Sequence, residues 1–202
     1  MALWLAADPL VLASKSASRR ALLEAAGIPI EIRPADIDER SFETRADPAG
    51  PSEVAALLAR EKARAVAAAM PGRIVLGADQ TLALGARRFS KPADRNAAAD
   101  QLRALRAKTH ALHSAVAVAR NAEILFEHVD AAHLTMRAFS EAFLQDYLDA
   151  AGSAVTASVG AYQLEGLGIQ LFDRVEGDHA TILGLPLLAL LGWLRRARLL
   201  IE

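Results

Sequence analysis

The stretch Leu10-Val11-Leu12-Ala13-Ser14-Lys15-Ser16-Ala17-Ser18-Arg19-Arg20-Ala21-Leu22-Leu23 changes character half-way along. Leu10 to Ala13 is a short continuous apolar run, as expected of a buried strand. From about Ser18 to Ala26, Leu22, Leu23 and Ala26 share one helical face, and Gly27 suits the position just past a helix end. Between strand and helix sit three hydroxyls and three cations. Free amides at a helix N-terminus carry partial positive charge and bind anions. The junction therefore reads as a phosphate site to which lysine and arginine add full charge. The competing reading is a serine cap on a helix whose arginines face solvent.

The following segments alternate between strand and helix. Ile28, Ile30 and Ile32 predict a second strand. Residues 34–50 are polar, carry both charge signs, and read as a loop containing Asp36, Asp38 and Glu39. Pro51-Ser52-Glu53 opens a helix that ends at Pro71-Gly72. Its apolar stripe is Val54, Leu57, Leu58, Ala65 and Val66, with Glu61, Lys62 and Arg64 off or beside it. Ile74 to Leu76 is a buried strand that delivers Asp79 at its end, a common way to hold a catalytic acid. Ser90-Lys91-Pro92 is a turn, and Asp94 caps a helix reaching about Arg106. Strands follow at 111–119, 123–128 and 132–137, with a hairpin at Arg120-Asn121. Ser140 caps a helix closed by Gly152. A Gly-rich segment at 158–168 precedes a strand at 169–175, and Gly184-Leu185-Pro186 leads into a last helix. Alternating elements followed by a meander predict an α/β or mixed α+β fold with a mixed sheet.

With 202 residues the chain makes one large domain or two small lobes. A net charge of −1 gives no general case for nucleic acid. The absence of cysteine excludes disulfides, thiolate metal sites and cysteine nucleophiles. The first residues lack the basic segment of a signal peptide. The longest apolar run, Ala180 to Leu194, falls short of the roughly 20 residues a bilayer span needs. It reads as a loop feeding a buried helix. A membrane-surface helix is the lesser reading, suggested by Arg195, Arg196 and Arg198. No Walker A or G-x-S-x-G pattern occurs, and the 158–168 glycines lack the setting of a dinucleotide fingerprint.

Lys15, Arg19, Lys62 and Lys91 sit in turns or beside helix stripes, as do the acids Glu39, Asp79, Glu165 and Asp178. Cations with isolated carboxylates suit a phosphorylated substrate and a hard divalent ion, since Mg²⁺ takes one or two carboxylates plus waters and phosphates. Each residue also has a plainer reading: a solvated lysine, a turn-capping Asp79, a loop acid.

Read together, these motifs resemble the Maf family of nucleotide pyrophosphatases across nearly the whole chain. Leu12-Ala13-Ser14-Lys15-Ser16-Ala17-Ser18-Arg19-Arg20 is similar to its opening signature, and Asp38-Glu39 to its acidic pair. Ala59-Arg60-Glu61-Lys62-Ala63 resembles its A-x-x-K-A helix, Gly77-Ala78-Asp79-Gln80 its acidic motif, and Lys91-Pro92 its K-P turn. Lys108-Thr109-His110, the 160–168 glycines, Glu176-Gly177-Asp178 and Gly184-Leu185-Pro186 resemble later blocks.

The resemblance implies a single Maf-like domain over 1–202, two-lobed and similar to inosine triphosphatases, around a bent mixed sheet with the site in a cleft. It implies hydrolysis of a nucleoside triphosphate to monophosphate and pyrophosphate with Mg²⁺ or Mn²⁺, in a cytoplasmic and often homodimeric protein linked to removal of non-standard nucleotides. Asp79 would activate water, and Glu39 and Asp79 would bind metal. Ser14, Arg19, Lys62 and Lys91 would hold phosphates, with Lys15 and Ser16 in support. Ser18, Gln80 and Glu165 would set the base. The last two side with the 7-methyl-GTP branch, whereas Ser18 matches neither that branch nor the dTTP/UTP branch. The rival from another class is a non-catalytic nucleotide-binding regulator of cell division, against which the retained Asp79 argues.

Overall fold

The computed structural model describes residues 3–45 and 50–202. Its element order begins with strand β1 (Leu10–Leu12), helix α1 (Ala17–Ala25), β2 (Ile30–Ile32), α2 (Glu39–Arg45) and α3 (Pro51–Ala69). Then come β3 (Val75–Leu84), β4 (Arg87–Phe89), α4 (Arg95–Leu105), β5 (Thr109–Arg120) and β6 (Glu123–Met136). The chain finishes with α5 (Glu141–Ala151), α6 (Ala154–Ala157), β7 (Phe172–Glu176), α7 (His179–Ile182) and α8 (Leu187–Arg196). The sheet runs β2-β1-β3-β5-β6-β7, with β4 beside β3. β1 pairs in parallel with β2 and β3, while β3–β4 and β6–β7 are antiparallel, so the sheet is mixed and the class α/β as expected.

The chain divides into two compact units. The first comprises Met1–Gln80, His113–Asp130 and Asp178–Glu202; the second comprises Thr81–Leu112 and Ala131–Gly177. In the first unit, side-chain alternation along the strands sorts two cores. Leu10, Leu12, Leu76, Ala78, Val116 and Val118 pack with Leu23 of α1 and Leu190 and Leu194 of α8. Val11, Ala13, Val75, Ala115, Ala117 and Ala119 pack with Ala55, Ala59, Ala63, Val66 and Ala67 of α3.

This second core is almost entirely alanine and valine, which lets α3 lie close on the sheet. Gly77 marks the tightest point, because a Cβ there would stand 2.1 Å from the Ala59 carbonyl oxygen and 2.6 Å from the Ala63 nitrogen. Both contacts are backbone, so neither can swing away.

In the second unit, α4 is capped by Asp94, which accepts from Ala97 N, and α5 by Ser140, which accepts from Phe143 N. His110 is buried there, with its Nε2 and the Tyr162 hydroxyl 2.7 Å apart and Phe172 beside both rings. Its Nδ1 is buried without a hydrogen-bond partner among the described residues. Burial lowers the His110 pKa to about 4 and raises that of Tyr162.

Several expectations are corrected. Residues 34–50 hold helix α2 rather than only loop, and the part at 46–49 lies outside the described residues. α1 starts at Ala17 with Ser16 as its cap. The expected strands at 123–128 and 132–137 are one strand, β6. β7 begins three residues later than expected, because Leu167–Leu171 forms a 3₁₀ turn. β4, α6 and α7 were not anticipated, being too short to show a period. Among the described residues no helix is long and apolar enough to cross a membrane.

Two outcomes are expected. Gly77→Ala, which cannot fit without separating α3 from β3, lowers the thermal unfolding midpoint by the equivalent of about 2 kcal/mol or more. His110 is neutral in the folded protein between its folded pKa of about 4 and the ordinary 6.5, whereas the unfolded chain takes up the proton. Stability is therefore complete above pH 6.5 and declines as pH falls towards about 4. The loss is on the order of 3 kcal/mol. Denaturant titrations across that range should show this slope, and His110→Gln should flatten it.

Candidate active site

Asp79 lies in the middle of β3, not at its end, and is only 8 % exposed. The Gly-Ala-Asp-Gln run looks like a turn in isolation, yet Gly77 is glycine because a helix presses on it, and the strand continues through. Asp79 shares the α3-facing side of β3 with Val75 and Gly77. Lys62 comes from α3, one helical turn beyond Leu58, on the buried face with Ala55, Ala59 and Val66. The stripe expected from the sequence placed Lys62 to one side and Ala65 inward; Ala65 is exposed and Lys62 is 8 % exposed. The alanine-rich contact explains the difference, since small residues rather than large ones mark the face that touches the sheet.

The Lys62 ammonium donates to Asp79 Oδ1 at 2.6 Å and lies 2.9 Å from Glu39 Oε1. Glu39 opens α2, and its side chain is 52 % exposed, so this carboxylate faces water while Asp79 does not. Burial raises the Asp79 pKa above the ordinary aspartate value, opposed by the charges of Lys62 and Arg19. A carboxyl with a raised pKa is a stronger base than a free aspartate, which suits proton abstraction near neutral pH.

Arg19 is buried in the same unit. Its Nε donates to Gly184 O at 2.8 Å, and its Nη1 donates to Ser14 Oγ at 3.1 Å and to Ala78 O at 2.9 Å. Three of its five N–H groups are thus fixed by protein, which orients the fork, and no hydrogen bond of Nη2 occurs among the described residues. Burial lowers the Arg19 pKa, and Asp79 and Glu39 oppose that fall. The reading in which both arginines of this helix face solvent holds only for Arg20, which pairs with Glu24 at 2.8 Å.

Ser14 Oγ accepts from Ser16 N as well as from Arg19, and Ser16 Oγ accepts from Arg19 N as the α1 cap. The Ser16 hydroxyl therefore caps the N-terminus of α1. Lys15 is exposed and Ser18 half-buried.

Of the expected site residues, the first unit brings together Ser14, Ser16, Arg19, Glu39, Lys62 and Asp79. Gln80 points to the other side of β3, where its amide nitrogen donates to Ser114 Oγ, Thr181 O and Ile182 O. Lys91 and Glu165 are exposed side chains of the second unit. Gly184, whose carbonyl orients Arg19, and Ser114 were not singled out as site residues. The first was visible only as part of a Gly-Leu-Pro block, and the second carried no signal.

Among the described residues no three histidine or acidic side chains converge. The oxygens of Glu39 and Asp79 do converge on one cationic group, the donor type a hard cation takes.

Comparison with known proteins gives a family match, "Maf-like protein", over residues 9–197. A nucleoside triphosphate pyrophosphatase of Rhodopseudomonas palustris strain HaA2 is 58 % identical over 200 residues, covering 99 % of both chains. A 7-methyl-GTP pyrophosphatase of Rhizobium etli is 51 % identical over 188 residues, covering 92 % of this chain and 94 % of that one. Among solved structures, a HAM1 protein from Coxiella burnetii aligns at 18 % identity with a TM-score of 0.41, covering 63 % of this chain and 72 % of that one. That likeness is too slight to carry an argument.

The site yields one expectation without any ligand. In the metal-free protein, ¹³C carboxyl NMR, assigned with Asp79→Asn, should show Asp79 titrating above the ordinary aspartate range. Lys62→Met removes the nearest positive charge and should raise that midpoint further.

Proposed function

We propose, from the premise that the chain belongs to the Maf family, that it hydrolyses nucleoside triphosphates to the monophosphate and pyrophosphate. The observation that carries this reading is the buried Asp79 carboxylate, held by Lys62 within the charge field of Arg19. A binding module has no need of such a base, and a hydrolase acting on a polyanion needs both the base and the cations.

In the reaction, a water oxygen forms a bond to the α-phosphorus while the bond from that phosphorus to the α–β bridging oxygen breaks. The water proton goes to Asp79, and pyrophosphate leaves in line. Arg19 presents its two Nη2 N–H groups to phosphate oxygens, a fork that fixes orientation as well as charge. Ser14 steadies that fork. Lys62 supplies a point charge that also keeps Asp79 ionised before the proton arrives.

Glu39 and Asp79 would hold a divalent cation, Mg²⁺ or Mn²⁺, completed by waters and phosphate oxygens. When bound, the ion offsets charge developing on the leaving group. By the same resemblance Lys91 is a further phosphate contact, and Glu165 a carboxylate that accepts hydrogen bonds from a guanine edge. The Rhizobium etli relative's name supports 7-methyl-GTP as a substrate to test first. The resemblance also supports a cytoplasmic location, a homodimer and a part in clearing non-standard nucleotides.

The test is pyrophosphate release from UTP, dTTP, GTP and 7-methyl-GTP with Mg²⁺ or Mn²⁺. Turnover is expected, and Asp79→Asn should lower kcat about a hundredfold or more, the usual worth of a general base. Folded wild-type protein that releases no pyrophosphate from any of them overturns the reading in favour of a non-catalytic nucleotide binder. Glu165→Gln should change the ranking of substrates by several-fold while leaving the unfolding midpoint in place. An unchanged ranking removes Glu165 from base recognition.

A further inference from the structure

Gln80 follows Asp79 in the chain but lies on the opposite side of β3, with Leu76 and Ala78. Three oxygens surround its amide nitrogen: Ser114 Oγ at 2.9 Å, Ile182 O at 3.0 Å and Thr181 O at 3.2 Å. Two are carbonyls and can only accept. The third belongs to a fully buried hydroxyl that donates its single proton to Thr181 O at 2.7 Å. Chemistry therefore fixes the amide orientation: nothing but an N–H donor is tolerated at this point.

Thr181 O is the hub. It accepts from Gln80 on β3 and from Ser114 on β5, and it closes the turn after α7 by accepting from Gly184 N at 3.0 Å. The far end of that turn is Gly184, whose carbonyl accepts from Arg19 Nε at 2.8 Å. Gly184 has φ +94°, and a Cβ there would come within 3.3 Å of Arg19 Nε. A residue with a side chain would thus be strained in its backbone and crowded against the guanidinium. The turn is anchored a second time, from its start: Asp178 Oδ1 accepts from Thr181 N at 3.0 Å, and Thr181 Oγ1 donates to Asp130 Oδ2 at 3.0 Å.

We infer that Gln80 is a positioning residue for the phosphate-gripping guanidinium of Arg19, acting through Thr181 O and the Gly184 carbonyl, and not a reader of the base. The ligand's identity rests on the pyrophosphatase reading; the hydrogen-bond chain from Gln80 to Arg19 does not. A base reader would need its amide directed to a nucleobase. Here the donors are spent on holding a backbone turn, so removing them loosens whatever Arg19 grips, with or without a base attached.

The experiment uses the full chain with Gln80→Met, which keeps the length and removes both donors, and with Ser114→Ala, which removes the second anchor of the same carbonyl. The first readout needs no ligand: hydrogen exchange of Arg19 Nε–H, followed by ¹⁵N NMR, should speed up in both variants as the Gly184 carbonyl becomes mobile. The second probe is inorganic tripolyphosphate, which carries phosphates and no base. Its Kd by calorimetry should rise roughly tenfold in Gln80→Met, the worth of about one hydrogen bond, and less in Ser114→Ala. The KM values for UTP, GTP and 7-methyl-GTP should rise by a common factor, with kcat changed less and the ranking kept. Unchanged Arg19 Nε–H exchange together with unchanged tripolyphosphate binding overturns the inference. So does a change confined to the ranking among bases, which would return Gln80 to base recognition. If the wild type hydrolyses no triphosphate, the proposed activity fails while the exchange measurement still decides the role of Gln80.

Discussion

The ion pair between Lys62 and Asp79 is possible only because α3 lies almost in contact with β3. Its 2.6 Å separation depends on the absence of side-chain atoms at Gly77 and on methyl groups alone at Ala59 and Ala63. Moving either partner out by the thickness of one methylene would leave a buried carboxylate and a buried ammonium without each other. Desolvation would then act on both unopposed, and removing one partner of such a pair is strongly destabilising. The small-residue core on that side of the sheet therefore sets the electrostatics of the site. Packing and chemistry are the same arrangement seen at two scales.

The other side of β3 performs the matching task for Arg19. There the core includes leucines of β1, β3, α1 and α8. Arg19 donates to three acceptors contributed by the β1–α1 junction, β3 and the turn before α8. A guanidinium so restrained loses little further freedom when it meets an anion, which is how preorganisation strengthens binding without adding contacts. Ser14 and Ser16 are parts of this frame, because each accepts from another member of the junction.

Much of this frame was legible in the sequence, and the failures have physical causes. The β1–α1 junction, the caps at Asp94 and Ser140 and the helices they open follow from local chemistry that needs no partner. Asp79, Lys62 and Arg19 could be named, yet their placement could not. Gly77 carries both meanings of glycine, turn and close approach, and only a packed helix decides between them. Lys62 looks peripheral from a stripe of Val54, Leu57, Leu58, Ala65 and Val66, which passes over Ala55, Ala59 and Ala63, whereas the buried face of α3 includes those alanines. The hydrogen bonds of Gln80 lie beyond the reach of the sequence, since the oxygens that engage its amide come from residues more than thirty and more than a hundred positions away. β6 was split in two because its outward residues are polar and charged over a long stretch, which hides a continuous strand.

The balance of charge around Asp79 bears on how such a site meets its substrate. Arg19 and Lys62 contribute two positive charges; Asp79 and Glu39 contribute two negative ones. The cluster is neutral as it stands, which is why it can be largely buried without leaving a charge uncompensated. Neutrality also means that a polyanion gains no net attraction from these four groups until their internal pairing changes. Were a triphosphate oxygen to take Lys62, the buried Asp79 and the water-facing Glu39 would be left with unbalanced charge, which a divalent cation held by these carboxylates would offset. On the pyrophosphatase reading, a need for a divalent cation would then follow from the neutrality of the resting cluster rather than from any shortage of basic residues.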